Sequence, residues 1–110
     1  MSSNLDSIKV SNNRQAQRYE VVVGDAFAMI EYGLMDQSIV FTHTEVPQAL
    51  EGRGIAQKMA QTALEDARAQ HLLVVPLCPF VATYMRRHSE YQDLIDPAFR
   101  HLMQDEPHKL

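Results

Sequence analysis

The sequence predicts an α+β domain: an antiparallel meander first, then a strand–helix–strand unit, then further helix. Three observations carry this. Three short strand-like runs lie between Tyr19 and Val46, the third rich in β-branched residues, and the first two, "YEVVV" and "AFAMIEY", are separated only by Gly24-Asp25. A long amphipathic segment follows. After it comes "LLVVPLC", a continuous apolar run of the kind that forms a strand buried on both faces.

The elements follow in order. Tyr19 to Val23 and Ala26 to Tyr32 read as strands, because a two-residue Gly-X connection suits a tight hairpin. Ser38 to Val46 reads as a third strand, entered through a turn near Met35-Asp36-Gln37. Its alternation puts Ile39, Phe41, His43 and Glu45 on one face and Val40, Thr42, Thr44 and Val46 on the other. Pro47 ends it, having no N–H for the ladder. A helix is predicted from about Arg53 to Gln70. Ile55, Ala56, Met59, Ala60, Ala63, Leu64 and Ala67 recur at spacings of three and four and form one apolar stripe. Leu72 to Cys78 is then a strand parallel to the third, joined to it by a right-handed crossover. Pro76 leaves one of its edges incompletely paired. Pro79 to His88 reads as a second helix with proline at its first position and Cys78 at its N-cap.

Composition bounds the rest. A chain of 110 residues with 45% hydrophobic and 22% charged residues has room for one globular domain, assigned to 9–100 with tails at 1–8 and 101–110. A formal charge of −4 argues against a nucleic-acid partner. No apolar run approaches the ~20 residues of a membrane span, and the first residues lack a secretory pattern. The single cysteine, Cys78, forms no internal disulfide, and a cytoplasmic location is the expectation.

The stretch "EVPQALEGRGIAQKM" places Gly52, Gly54 and the small Ala56 at the mouth of the long helix. There the first N–H groups lack intrahelical partners and the macrodipole is positive, so a backbone free of bulky side chains admits a phosphate. The Gly-Lys-Ser/Thr ending of a Walker loop is missing, and the spacing is not that of a dinucleotide fingerprint. Read alone, these six residues fit a plain loop-to-helix turn equally well.

The frame Glu51-Gly52-Arg53-Gly54-Ile55-Ala56, following a strand that ends in Val46-Pro47, resembles the acetyl-CoA signature of the GNAT acetyltransferase superfamily, Arg/Gln-x-x-Gly-x-Gly/Ala. Glu51 departs from the usual Arg or Gln. "THTEVP" and "VVPLCPFVATYMRRHSEYQDLI" are similar to a compact subfamily of about 100 residues carrying a Pro-x-Cys-Pro-Phe segment. The resemblance implies a GNAT-like fold whose two parallel strands splay apart to admit the pantetheine arm, with Pro76 on the opening side. It implies acetyl-CoA as cofactor, bound by Val46, the backbone of Gly52, Arg53, Gly54, Ile55 and Ala56, and Cys78.

For chemistry the candidates are Cys78, His43, Glu45 and Tyr84. Cys78, at a helix N-cap where the dipole favours thiolate, is either an acetyl-accepting nucleophile or a half-buried strand-end residue; most of the superfamily transfers directly. His43, with Glu45 two residues on, is the candidate base, or a histidine satisfied by a neighbour. Aligning Ala82 with the family's alanine puts Arg86, not Tyr84, where a proton-donating tyrosine usually stands. His43, Glu45, Cys78 and His88 match no zinc spacing, so no metal is expected. The two-residue Gly24-Asp25 connection leaves no room for the helices that wall the acceptor pocket in longer relatives. The acceptor groove is therefore open in a monomer, or completed by a second subunit in a homodimer. The functional classes are, in order, an N-acetyltransferase acting on a small-molecule or protein amine, a non-catalytic acyl-CoA-binding module, and an interaction domain with no CoA site.

Overall fold

The computed structural model describes residues 8–104. Of the predicted tails, 1–7 and 105–110 lie outside that range. Five strands form one sheet in sequence order: β1 (Ser11–Asn13), β2 (Arg18–Val23), β3 (Ala26–Met35), β4 (Ser38–Glu45) and β5 (Leu73–Pro76). β1 to β4 pair antiparallel, and β5 runs parallel to β4. Helix α1 (Ile55–Ala69) connects the parallel pair, and α2 (Pro79–Arg87) follows β5. The predicted mixed sheet with helices packed on it is the observed architecture. No helix among the described residues is long and apolar enough to cross a membrane.

Six of the seven residues in the predicted stripe are buried on α1, and Ala56 is half-buried. Met59, Ala60 and Leu64 have no exposed surface. The alanines at 60, 63 and 67 leave little side chain between helix and sheet, so Tyr19, Val21, Ala28, Ile30 and Phe41 pack into the same core. Three polar ties fix α1 against its surroundings. The Tyr19 hydroxyl donates to Asp66 at 2.8 Å and the Tyr91 hydroxyl to Glu65 at 2.6 Å. Arg68 reaches Asp93 with both terminal nitrogens.

Three boundaries differ from expectation. β1 was not read from sequence, since three polar residues carry no alternation. β5 stops at Pro76, because Leu77 folds back to donate to Val75. The domain boundary drawn at residue 100 falls inside a 3₁₀ segment, Pro97–Met103, which packs against α2 and β5.

The largest correction concerns β4. Glu31 pairs with His43, yet the next residue of β3, Tyr32, pairs with Phe41. Thr42 is therefore an extra residue, a β-bulge, and alternation restarts after it. Ile39 and Phe41 face the core, but His43 and Glu45 lie on the opposite face beside Glu31 and Met29. Thr44, paired with the buried Ile30, turns inward instead.

Candidate functional site

The parallel ladder between β4 and β5 ends early. Its last pair is Phe41 with Pro76, and the Cys78 N–H closes it by donating to the Phe41 carbonyl at 2.8 Å. Pro76 has no N–H to give, and the bulge at Thr42 twists β4 away at the same level. Beyond this level no described residue of Thr42 to Val46 pairs with Leu77 or Cys78 in a ladder. The ladder thus has a gap at this end, with Thr42 to Val46 and Leu77–Cys78 as the two unpaired arms of a V.

One side-chain contact spans the gap. Cys78, only 2% exposed, places its Sγ 2.9 Å from the Thr44 Oγ1. Cys78 is the N-cap of α2, but its thiol makes no capping bond. The sulfur is left to Thr44, a neighbour that the sequence put on the wrong face for lack of any local sign of the bulge.

The other arm of the V leads through Val46, Pro47 and a 3₁₀ turn, Gln48–Leu50, to the start of α1. Gly52 and Gly54 take φ of +79° and +76°, the left-handed region that a side chain disfavours. Gly54 is the N-cap, and no side chain caps the helix. The first intrahelical bond is Lys58 N–H to the Gly54 carbonyl at 3.0 Å, so the N–H groups of Ile55, Ala56 and Gln57 have no partner among the described residues. There is no acidic residue in the first turn to take their place. Ile55 is buried while Arg53 and Glu51 project into solvent, so the turn presents backbone. A Cβ placed at Gly52 would meet no atom within 4 Å.

That backbone borders a cleft of about 470 Å³ lined by Gly52, Gly54, Gln57, Lys58 and Gln61 on one side and Tyr84, His88 and Glu90 on the other. Tyr84 is 8% exposed and its ring stacks on His88, with centroids 3.9 Å apart. Burial, then the nearby carboxylates of Glu90 and Glu65, push its phenol upward, so it stays protonated at neutral pH. Its hydroxyl has no hydrogen-bond partner among the described residues. Arg86, at the place of the family's tyrosine, is tied down: it donates to the Leu102 carbonyl at 2.8 Å and to Thr83 at 2.9 Å.

His43 and Glu45 stand together on the open sheet face, with Nε2 3.4 Å from a Glu45 carboxylate oxygen and both side chains more than half exposed. The candidates thus fall into two groups: Cys78 with the turn residues around the gap and cleft, and His43 with Glu45 on the reverse face. Lys58, His88 and Glu90 were missed as cleft residues. The four-residue spacings Gly54–Lys58 and Tyr84–His88 were the available signal, since each puts two residues on one helix face.

The family model for GCN5-related N-acetyl-transferase matches residues 18–94. The chain is 30% identical over 95 residues to Protein NATD1 of Mus musculus, covering 82% of this chain and 86% of that protein. To the Homo sapiens protein of that name it is 28% identical over 95 residues, with 82% and 84% coverage. To that of Xenopus tropicalis it is 27% identical over 97 residues, with 83% and 88% coverage.

Proposed function

The chain belongs to the GCN5-related N-acetyltransferase family, and from that premise we propose that it moves an acetyl group from acetyl-CoA to an amine, acting as an open-sided enzyme. The observation that carries this reading is the uncapped N-terminus of α1. Three N–H groups without a partner among the described residues and two left-handed glycines border a cleft, with no acidic side chain in the first turn of the helix to occupy them. That is the chemistry a pyrophosphate requires: convergent backbone donors, a positive dipole end and no side chain in the way. The gap between β4 and β5 supports the rest, giving an extended pantetheine arm unpaired strand edges along Thr42 to Val46.

Bound acetyl-CoA supplies a thioester, whose C–S bond breaks as the amine nitrogen forms its bond to the carbonyl carbon. The departing CoA thiolate takes its proton from solvent, which leaves the chain one proton to manage, that of the amine. His43 is the base in this reading: Nε2 takes the proton of the attacking amine, and the Glu45 carboxylate at 3.4 Å stabilises the resulting imidazolium. The pair lies on the exposed face, where an acceptor reaches it without displacing core residues. Transfer is direct. Cys78 is too deeply buried to take the acetyl group without moving Thr44, and its S–H instead lines the mouth of the gap. Tyr84 lies six residues past Cys78, about 9 Å along α2 at 1.5 Å per residue. We therefore assign its hydroxyl to ligand binding, not to protonation of the departing thiolate.

Calorimetric titration of acetyl-CoA tests the reading. Saturable binding in the micromolar range is expected, and Gly54→Glu should abolish it by placing a carboxylate among the donors. Absence of heat with the wild-type protein overturns the assignment. Mass-spectrometric detection of an acetylated amine then separates an enzyme from a non-catalytic acyl-CoA-binding module. Cys78→Ala should keep most of that turnover, and complete loss would instead mean a covalent relay.

A further inference from the structure

The β3–β4 hairpin runs on past the strand beside it. β2 pairs with β3 only as far as Glu31, opposite Arg18, while β3 continues to Met35. Beyond Glu31 one bond remains on that side, from the Tyr32 N–H to the Gln17 carbonyl at 2.9 Å. Main-chain groups of a strand point to the same side at every second residue, so the Leu34 N–H and carbonyl face the way those of Tyr32 do. On that side they have no backbone partner among the described residues. The arm also exposes apolar side chains: Leu34 is 57% and Met35 53% exposed. α1 ends at Ala69, short of the arm, and leaves a cavity of about 90 Å³ bordered by Leu34, Ile39, Ala67 and Leu72. Arg14, on the β1–β2 turn, borders the same cavity, and Asp36 holds the hairpin tip at φ +36°. Both are exposed, and neither makes an ion pair among the described residues.

We propose that a second copy of this chain pairs with this arm, Leu34 against Leu34, across a two-fold axis normal to the sheet. An open strand edge is a template for another strand, and antiparallel pairing of two identical edges meets the symmetry of a closed dimer. The Leu34 N–H of each copy then donates to the Leu34 carbonyl of the other. The partner's Met35 falls opposite Gly33, where even a Cβ would meet no atom within 4 Å, so its side chain has room. The two Leu34 side chains lie side by side over the cavity, with Cα atoms about 5.5 Å apart. One residue further, the partner's Asp36 comes up against the β1–β2 turn and Arg14. These opposite charges on two turns favour a second copy over an unrelated apolar segment, which would leave both unmatched. His43 and Glu45 lie at the far end of β4 from the hairpin, so the contact leaves both sites open.

Analytical ultracentrifugation over a wide concentration range reads the association. The wild-type protein is expected to sediment as a dimer at high concentration. Leu34→Pro removes the edge donor and keeps the bonds of β3 to β4, so it should stay monomeric. Arg14→Asp and Asp36→Lys should each weaken dimerisation about tenfold, since each like-charge contact occurs twice across the axis. An equal mixture of those two variants restores opposite charges at both contacts and should dimerise as the wild type does. A cooperative melt establishes that each variant is folded, and the mixture decides the matter should Leu34→Pro not fold. The pairing is overturned by a wild-type protein that stays monomeric throughout, or by a folded Leu34→Pro protein that dimerises as well as wild type. A mixture that associates no more tightly than its two components overturns it too.

Discussion

Gly52 and Gly33 form a natural pair for testing what the left-handed turn does. A Cβ added at either would meet no atom within 4 Å, so alanine creates no clash at either position. They differ in backbone: Gly52 sits at φ +79°, whereas Gly33 lies outside the left-handed region. Forcing an L-residue into that region costs about 1–2 kcal/mol. A strand substitution that meets no atom, as at the half-buried Gly33, changes stability by about 0.5 kcal/mol or less. In a domain of this size each kilocalorie moves the melting temperature by about 4–8 °C. Gly52→Ala should therefore melt well below Gly33→Ala in a calorimetric scan without ligand. Asparagine tolerates positive φ better than alanine but carries a larger side chain into the cleft. Stability should fall in the order Gly, Asn, Ala, and acetyl-CoA affinity in the order Gly, Ala, Asn. The divergence of the two orders is the point, since a turn that is only structural would give one order for both. Equal melting of Gly52→Ala and Gly33→Ala would refute the backbone argument, and unchanged affinity in Gly52→Asn would refute the role of the turn.

Other outcomes follow from the same geometry. His43→Gln should lower kcat for amine acetylation by about 10²-fold, with acetyl-CoA binding unaltered by calorimetry, because the residue stands away from the glycine turn. Thr44→Val should slow alkylation of the sole cysteine by iodoacetamide at neutral pH, read from intact mass, and Thr44→Ser should restore it by returning the hydroxyl at Sγ. Hydrogen bonds from Arg68 and Arg18 hold the Asp93 and Glu20 carboxyls below the usual carboxylate range. A depressed carboxyl stabilises the fold above its unfolded pKa and loses that contribution as pH falls through the folded value. The melting temperature should thus drop on acidification below about pH 4, less steeply in Arg68→Ala, whose Asp93 has lost its partner.

The sheet order, the parallel return and both helices were legible because their signals are periodic. The α1 stripe buries where spacing puts it, and within "LLVVPLC" the residues Val74, Val75 and Pro76 of β5 are buried while Leu77 beyond it is exposed. Pro79 at the first position of α2 and Cys78 at its N-cap were likewise local facts of chain chemistry. The bulge was not legible. Nothing in "SIVFTHTEV" marks Thr42 as the extra residue, since the bulge arises from pairing with β3 across Glu31 and Tyr32. One unread residue exchanged two neighbourhoods, moving His43 and Glu45 to the open face and Thr44 onto Cys78. The cleft was unreadable for a related reason: its two walls, around Gly54 and around Tyr84, are thirty residues apart in sequence and meet only through the packing of α2 and the segment Ser89–Leu94 on α1.

The bulge also explains how so short a chain can keep two separate surfaces. Had β4 alternated regularly past Phe41, His43 and Glu45 would point into the layer filled by α1, and a buried carboxylate there would need a partner the core does not supply. With Thr42 inserted, the polar pair is carried to the face opposite α1, while the smaller Thr44 turns toward the gap and meets the cysteine. The two-residue hairpin at Gly24-Asp25 leaves no helix between β2 and β3 to cover that opposite face. In the acetyl-transfer reading proposed above, thioester and amine then approach from the two faces of the sheet and meet where β4 and the chain after β5 are unpaired. Deleting Thr42 should therefore do more than shorten a strand. It should return His43 toward the core, and loss of both melting temperature and acetyl transfer is expected, whereas Thr42→Ser, which keeps the extra residue, should leave both near wild type. A Thr42 deletion with native stability and turnover would mean that the bulge is not what separates the two surfaces.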